Sequence, residues 1–200
     1  PDGPRPLTFT SDAPTDSVPG DVYAVTASPG APSSPVTFAA DASSAQVCLV
    51  TDHGDGTADV GFEGAGRCVI HADQAADDTF PAEHAQQDVL VKSPQAITFT
   101  SYPARARVDG SYQAVAVGGD SGNALVFSPA PGSSHGCDVT PQGRVTFVHA
   151  TTCRVAADQA GNGAYVAAAT AYQQISVARA GQKVTFTSAK PAPAVVGRGY

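Results

Sequence analysis

Leu7-Thr8-Phe9-Thr10-Ser11, Ile97-Thr98-Phe99-Thr100-Ser101 and Val184-Thr185-Phe186-Thr187-Ser188 are near-copies of one string, set roughly 90 residues apart in a chain of 200. The alternation of apolar and threonine side chains has the period of two that puts one set on each face of a β-strand. Recurrence at this interval marks a repeated structural unit. After each string come a Pro-containing stretch, a Val and a Gly: Val18 with Gly20, Val108 with Gly110, Val195 with Gly197.

Working outward, the two complete copies can be laid over each other along their length. Val25 is matched with Val115, Val36 and Phe38 with Leu125 and Phe127, Cys48 and Val50 with Cys137 and Val139, and Val60 and Phe62 with Val145 and Phe147. Cys68, Ile70 and Ala72 then match Cys153, Val155 and Ala157, and Val89 and Val91 match Ile175 and Val177. Each copy is therefore expected to hold about seven strands, joined by turn formers such as Ser28-Pro29-Gly30, His53-Gly54-Asp55-Gly56, Gly118-Gly119-Asp120 and Pro141-Gln142-Gly143. Seven short alternating strands close a core most simply as two packed sheets, and a barrel is the less favoured alternative. With 20 Gly, 16 Pro and only 14% charged residues, the composition suits short strands and turns rather than long helices. The fold class is all-β, two tandem sandwiches.

The boundaries that follow are an N-terminal linker over 1–6, a first repeat over 7–92, a linker over 93–96, a second repeat over 97–178, and a linker with the truncated start of a third repeat over 179–200. Pro94 stiffens the first connection. The chain opens at Pro1 without Met and stops soon after the third string begins, so a piece of a longer protein is expected. No apolar run of 18 or more residues offers a membrane span. A net charge of -7 with 11 scattered basic residues argues against a nucleic-acid partner.

The four cysteines fall two to a copy, at matching places on the inward side of their strands. Two intradomain disulfides are expected, Cys48 with Cys68 and Cys137 with Cys153. Such bridges imply an oxidising compartment, and loops of this length contribute about 3 kcal/mol each in the chain-entropy model. Four buried thiols in a reducing compartment are the less favoured reading. Zinc is disfavoured further, because neither pair has C-x-x-C spacing and no histidine recurs beside it.

Several of these residues carry a family resemblance. The Ile-Thr-Phe-Thr opening, the Gly and Tyr ahead of an Ala-Val strand (Gly20 with Tyr23, Gly110 with Tyr112), and the runs Cys68-Val-Ile-His-Ala-Asp-Gln-Ala75 and Cys153-Arg-Val-Ala-Ala-Asp-Gln-Ala160 resemble the tandem bacterial immunoglobulin-like repeats of large surface and secreted proteins. The second copy continues Gly161-Asn162-Gly163-Ala164-Tyr165-Val166, a fuller form of that signature. The first has Ala76-Asp77-Asp78-Thr79-Phe80-Pro81, with Phe80 in the aromatic place. The chain has no Trp, so it is no close relative of antibody domains, whose core Trp packs on the disulfide. The resemblance implies an immunoglobulin-like sandwich for each repeat, export, tandem arrays, and a spacer or adhesive role without catalytic residues.

A site built into the module should recur in both copies, and histidine does not. His53, His71, His84, His135 and His149 occupy no matching positions. Asp120-Ser121-Gly122 contains a string found around some serine nucleophiles, but it sits in a Gly-rich turn and is read as one. Asp73-Gln74 and Asp158-Gln159 do recur. One reading is calcium, held by Asp73 with Asp77 and Asp78, or by Asp158 with Asn162 and neighbouring carbonyls, since that cation takes six to eight oxygens. The favoured reading is Asx-type turns, because the second copy offers few carboxylates. No catalytic residue, metal or cofactor is expected.

The function expected is a non-catalytic structural or spacer module of a bacterial cell-surface or secreted protein, an adhesin-like stalk. The alternatives are a module binding carbohydrate or protein through the loop ends of the sandwich, and an accessory domain of a large secreted enzyme. The partners expected are the neighbouring immunoglobulin-like repeats of the same chain, with a cell-surface protein or carbohydrate as the external alternative, and the chain itself is expected to be a monomer located outside the cytoplasm.

Overall fold

The structure, a computed structural model, describes residues 6–31, 34–133, 135–187 and 196–197. Residues up to Val91 supply seven strands: β1 Thr8–Phe9, β2 Val22–Ser28, β3 Val36–Ala40, β4 Cys48–Asp52, β5 Thr57–Phe62, β6 Gly66–Gln74 and β7 Glu83–Val91. Among the described residues one 3-10 turn, Ala42–Ser44, interrupts them, with Asp41 capping it by accepting from the Ser43 N–H. The strands form two antiparallel sheets, in the orders β1-β2-β5-β4 and β3-β6-β7. That is the strand order of the seven-stranded, constant-type immunoglobulin sandwich.

Strand alternation decides what the sheets enclose. In β5, Ala58, Val60 and Phe62 are buried, and in β6 Cys68, Ile70 and Ala72 are, with the residues between them turned outward. These side chains, with Val25, Val36, Phe38, Val89 and Val91, make one apolar cluster. A Val, Ile or Phe so enclosed contributes about 1.5–3 kcal/mol by leaving water. Leu7 is buried at the cluster's edge, and the ring of Phe9 sits 6.0 Å from that of Phe38, so the opening string acts as a plug over one end of the core.

The second half repeats the plan with eight strands: β8 Thr98–Phe99, β9 Ser111–Gln113, β10 Ala116–Val117, β11 Leu125–Pro129, β12 Cys137–Val139, β13 Arg144–Phe147, β14 Thr152–Gln159 and β15 Ala171–Ser176. The sheets are β10-β8, β12-β13-β9 and β11-β14-β15. They correspond to the first half once β9 and β10 are taken as one strand split in two. The split has a local cause. Cys48 and Phe62, which face each other across β4 and β5, are fourteen residues apart, whereas Cys137 and Phe147 are ten apart. The shorter hairpin lets β13 begin only at Arg144, opposite Gln113, so the outer part of the β9–β10 segment has only β8 beside it. A second apolar cluster, including Ile97, Phe127, Val145, Phe147, Cys153, Val155 and Ile175, fills this half. Phe99 and Phe127 again lie 6.0 Å apart.

One expected match is corrected. Val25 is fully buried, but Val115 is 48% exposed, and the buried residue in its place is Ala114. The spacing from Gly to Tyr explains the slip: three residues from Gly20 to Tyr23, two from Gly110 to Tyr112. The first repeat therefore runs one residue longer before its second strand. Of the third string, residues 184–187 form no strand, and Val184 and Phe186 are each 87% exposed. Ser188 and Val195 lie outside the described residues.

Candidate functional site: the polar groups that recur in both repeats

The disulfides cross between the sheets. Cys48 of β4 is bonded to Cys68 of β6, and Cys137 of β12 to Cys153 of β14, with Cα atoms 5.7 and 5.4 Å apart. Both distances suit an ordinary bridge. In antibody domains the bridge leaves the second strand of this order for the sixth. Here it leaves the fourth, and the second strand places Val25 inward instead.

Gln74 and Gln159 are buried and do the same work. Gln74 Oε1 accepts from the Ala31 N–H at 2.9 Å, and its Nε2 donates to the carbonyls of Ala31 (2.7 Å) and Ser34 (2.5 Å). Gln159 Oε1 accepts from the Gly119 N–H at 2.7 Å, and its Nε2 donates to the carbonyls of Gly119 (3.2 Å) and Asn123 (2.8 Å). In each repeat one amide thus closes the loop between the second and third strands, satisfying backbone groups that have no ladder partner. A side chain at Gly118 would collide with the Gln159 amide, which is why the chain is bare there.

A second network was not anticipated. The Tyr23 hydroxyl lies 2.6 Å from Ser11 Oγ and donates to Gln87 Oε1 at 2.8 Å, while Gln87 Nε2 donates to the Ser11 carbonyl at 2.9 Å. The second repeat answers with Tyr112 and Ser101, 2.5 Å apart, and Gln173 Nε2 donating to the Ser101 carbonyl at 2.6 Å. Gln173 Oε1, buried, has no hydrogen-bond partner among the described residues. Ser11 and Ser101 end the opening string, so this network ties the plug to the second and last strands.

The residues weighed for calcium are spread among separate tasks. Asp73 Oδ1 is 2.7 Å from His84 Nδ1, and Asp158 Oδ1 accepts from Thr170 Oγ1 at 2.5 Å. Asp77 Oδ1 accepts from the N–H groups of Thr79 and Phe80, and Asn162 Oδ1 from those of Ala164 and Tyr165. Asp78 is exposed. No group of three or more His, Cys, Asp or Glu suited to a metal occurs among the described residues. Ser121 of the Asp120-Ser121-Gly122 turn donates its hydroxyl to the Ala160 carbonyl at 3.0 Å.

Of the histidines, His71 and His84 come together on the outer face of β6 and β7, their ring centroids 4.9 Å apart. His71 Nε2 is 3.1 Å from Asp41 Oδ2. The Asp41 carboxyl is lowered from its usual 3.8 to about 2, first by the hydroxyl and N–H of Ser43 and then by His71. His53 lies 3.4 Å from Asp59. In the second repeat a crevice of about 580 Å³ opens beside Cys137, lined also by Ser133, His135, Asp138 and His149. His135 there has φ 56°, a left-handed conformation uncommon outside Gly, Asn and Asp.

No family model matches the chain, and no curated protein matches it. Among solved structures it is similar to the fibronectin(III)-like modules of Clostridium thermocellum CbhA, at 15% identity and a TM-score of 0.43, covering 92% of this chain and all of that one. It is also similar to a C-terminal 282-residue intimin fragment, at 17% identity and a TM-score of 0.48, covering 88% of this chain and 64% of that one. A titin I-band fragment, I67–I69, gives 14% identity and a TM-score of 0.44, covering 88% and 66%. The strand orders and enclosed cores above, rather than these likenesses, carry the fold assignment.

Proposed function

We propose that the chain is a non-catalytic structural module of a bacterial cell-surface or secreted protein, a length of adhesin-like stalk made from repeats at 7–92 and 97–178. One observation carries this reading. Most of the polar groups that recur in both copies, Gln74 with Gln159, Ser11–Tyr23–Gln87 with Ser101–Tyr112–Gln173, and Asp77 with Asn162, are engaged in holding backbone, and the recurring Asp73 and Asp158 are bonded to His84 and Thr170 of their own repeats. A module selected for chemistry or for a shared ligand would repeat a set of groups directed at solvent. The two bridges support a location in an oxidising compartment outside the cytoplasm.

The crevice beside Cys137 favours a second reading, in which the second repeat binds a ligand at one end. A concavity with convergent polar groups is where a ligand would sit. Glycan and protein arrays probed with the whole chain test both. The spacer reading expects no binding that depends on these residues. Binding abolished by His149→Ala and Asp138→Ala would replace it with the second.

A further inference from the structure

The connection between the repeats has no slack. Lys92 is held by the first repeat: its N–H donates to the Ser17 carbonyl at 2.8 Å, and its Nζ pairs with Asp16 at 2.8 Å. The next residue is held by the second. The Ser93 N–H donates to the Ala164 carbonyl at 2.8 Å, and its carbonyl accepts from the Val166 N–H at 3.1 Å, a parallel bridge opposite Tyr165. Gln95 completes the hold. Its Nε2 donates to the carbonyls of Ala160 (3.2 Å) and Val166 (2.9 Å), and its Oε1 accepts from the Ser121 N–H at 3.2 Å.

The receiving loop is shaped for this. Asn162 turns the chain back by accepting from the Ala164 and Tyr165 N–H groups, and its own amide donates to the Ser121 carbonyl at 2.8 Å. The carbonyl of Ala164 and the N–H of Val166 are thereby aimed at Ser93. A side chain at Gly119 would strike Gln95, and one at Gly161 would strike the backbone of Tyr165 to Ala167. Both close approaches need glycine.

We infer that the loop over residues 160–166 is a docking surface whose partner is the chain's own segment Ser93–Gln95, and that this docking locks the two repeats in one orientation. The peptide between Lys92 and Ser93 is left as the joint, because each of these residues is fixed to a different body. Stiffness at this boundary comes from Gln95 and Asn162 more than from Pro94. The third string carries the same element, since Gln182 precedes Val184 by two residues as Gln95 precedes Ile97. A crevice lined by Val108, Arg179, Ala180 and Gln182 lies at the corresponding end of the second repeat.

This inference rests on the structural-module reading, but the two fail separately: a ligand found on arrays would unseat the spacer and leave the joint untouched. The test is backbone ¹⁵N relaxation of the intact chain. The wild type should show one rotational correlation time for both repeats. Gln95→Ala should let each tumble alone, the correlation time falling toward half, while the first repeat keeps its denaturation midpoint and the second stays folded. Gln95→Glu, which keeps the shape but sets a carboxylate against two carbonyls, should do the same. Independent tumbling in the wild type overturns the inference whether or not the variants fold. Retention of the common correlation time in a folded Gln95→Ala or Gln95→Glu chain overturns it too.

Discussion

Asp77 and Asn162 hold the same turn in the two repeats: each Oδ1 accepts the N–H groups two and three residues ahead, at 2.7 and 2.7 Å for Asp77 and at 2.7 and 3.0 Å for Asn162. Each residue's own N–H also donates to the carbonyl of the aromatic three residues on, Phe80 or Tyr165. Both Asp and Asn supply the Oδ1 acceptor that this turn uses. Asp77→Asn should therefore keep the turn and cost the first repeat less than Asp77→Ala, which should lower its stability by about 1 kcal/mol. Equal effects of the two substitutions would contradict the assignment.

The buried glutamines should be the costliest polar residues to remove. Gln74→Ala strands an N–H and two carbonyls in a closed loop, and a loss of about 2–3 kcal/mol is expected. Gln159→Ala should cost a similar amount in the second repeat. Urea denaturation followed separately for each repeat measures both.

The bridges close segments with sequence separations of 20 and 16 residues. Replacing Cys48 and Cys68 together with Ala should destabilise the first repeat by about 3 kcal/mol, and the Cys137 and Cys153 pair should cost the second about as much. An effect of either replacement on the other repeat's midpoint would show that the two cores are not separate.

Asp41 gives the first repeat an acid sensitivity. Its carboxyl is lowered from 3.8 to about 2 in the folded chain. A depressed folded value means that the contribution is present above pH 3.8 and is lost as pH falls through 2. Ser43→Ala removes the hydroxyl that lowers it most, so NMR titration of the Asp41 carboxyl should move back toward 3.8. No movement would assign the shift to the Ser43 N–H and His71 instead.

Much of the fold was legible because it rests on side-chain alternation and on cysteines that recur in register. Val36, Phe38, Cys68 and Ile70 are buried where a period of two puts them. Ala114 was missed because Val115 is the more apolar neighbour, and only the Gly110-to-Tyr112 spacing betrays the slip. Gln74 and Gln159 recur visibly, yet their partners lie about forty residues away, and nothing local in the sequence announces such a contact. The same holds for Gln95, which reads as part of a linker and is bonded to residues 121, 160 and 166.

The charges are also less even than their scatter suggests. Residues 7–92 carry thirteen acidic and two basic side chains, whereas 97–178 carry four of each. Self-repulsion should therefore weigh on the first repeat alone. Its denaturation midpoint should rise with added salt more than that of the second, and a parallel rise in both would contradict this.

The central claim is that two disulfide-bridged sandwiches make up the module, and peptide mapping of unreduced protein made in an oxidising compartment tests it most directly. The account predicts that Cys48 is linked to Cys68 and Cys137 to Cys153, with intact mass rising on reduction by four hydrogens. Four free thiols, or any bridge between the repeats, would contradict it.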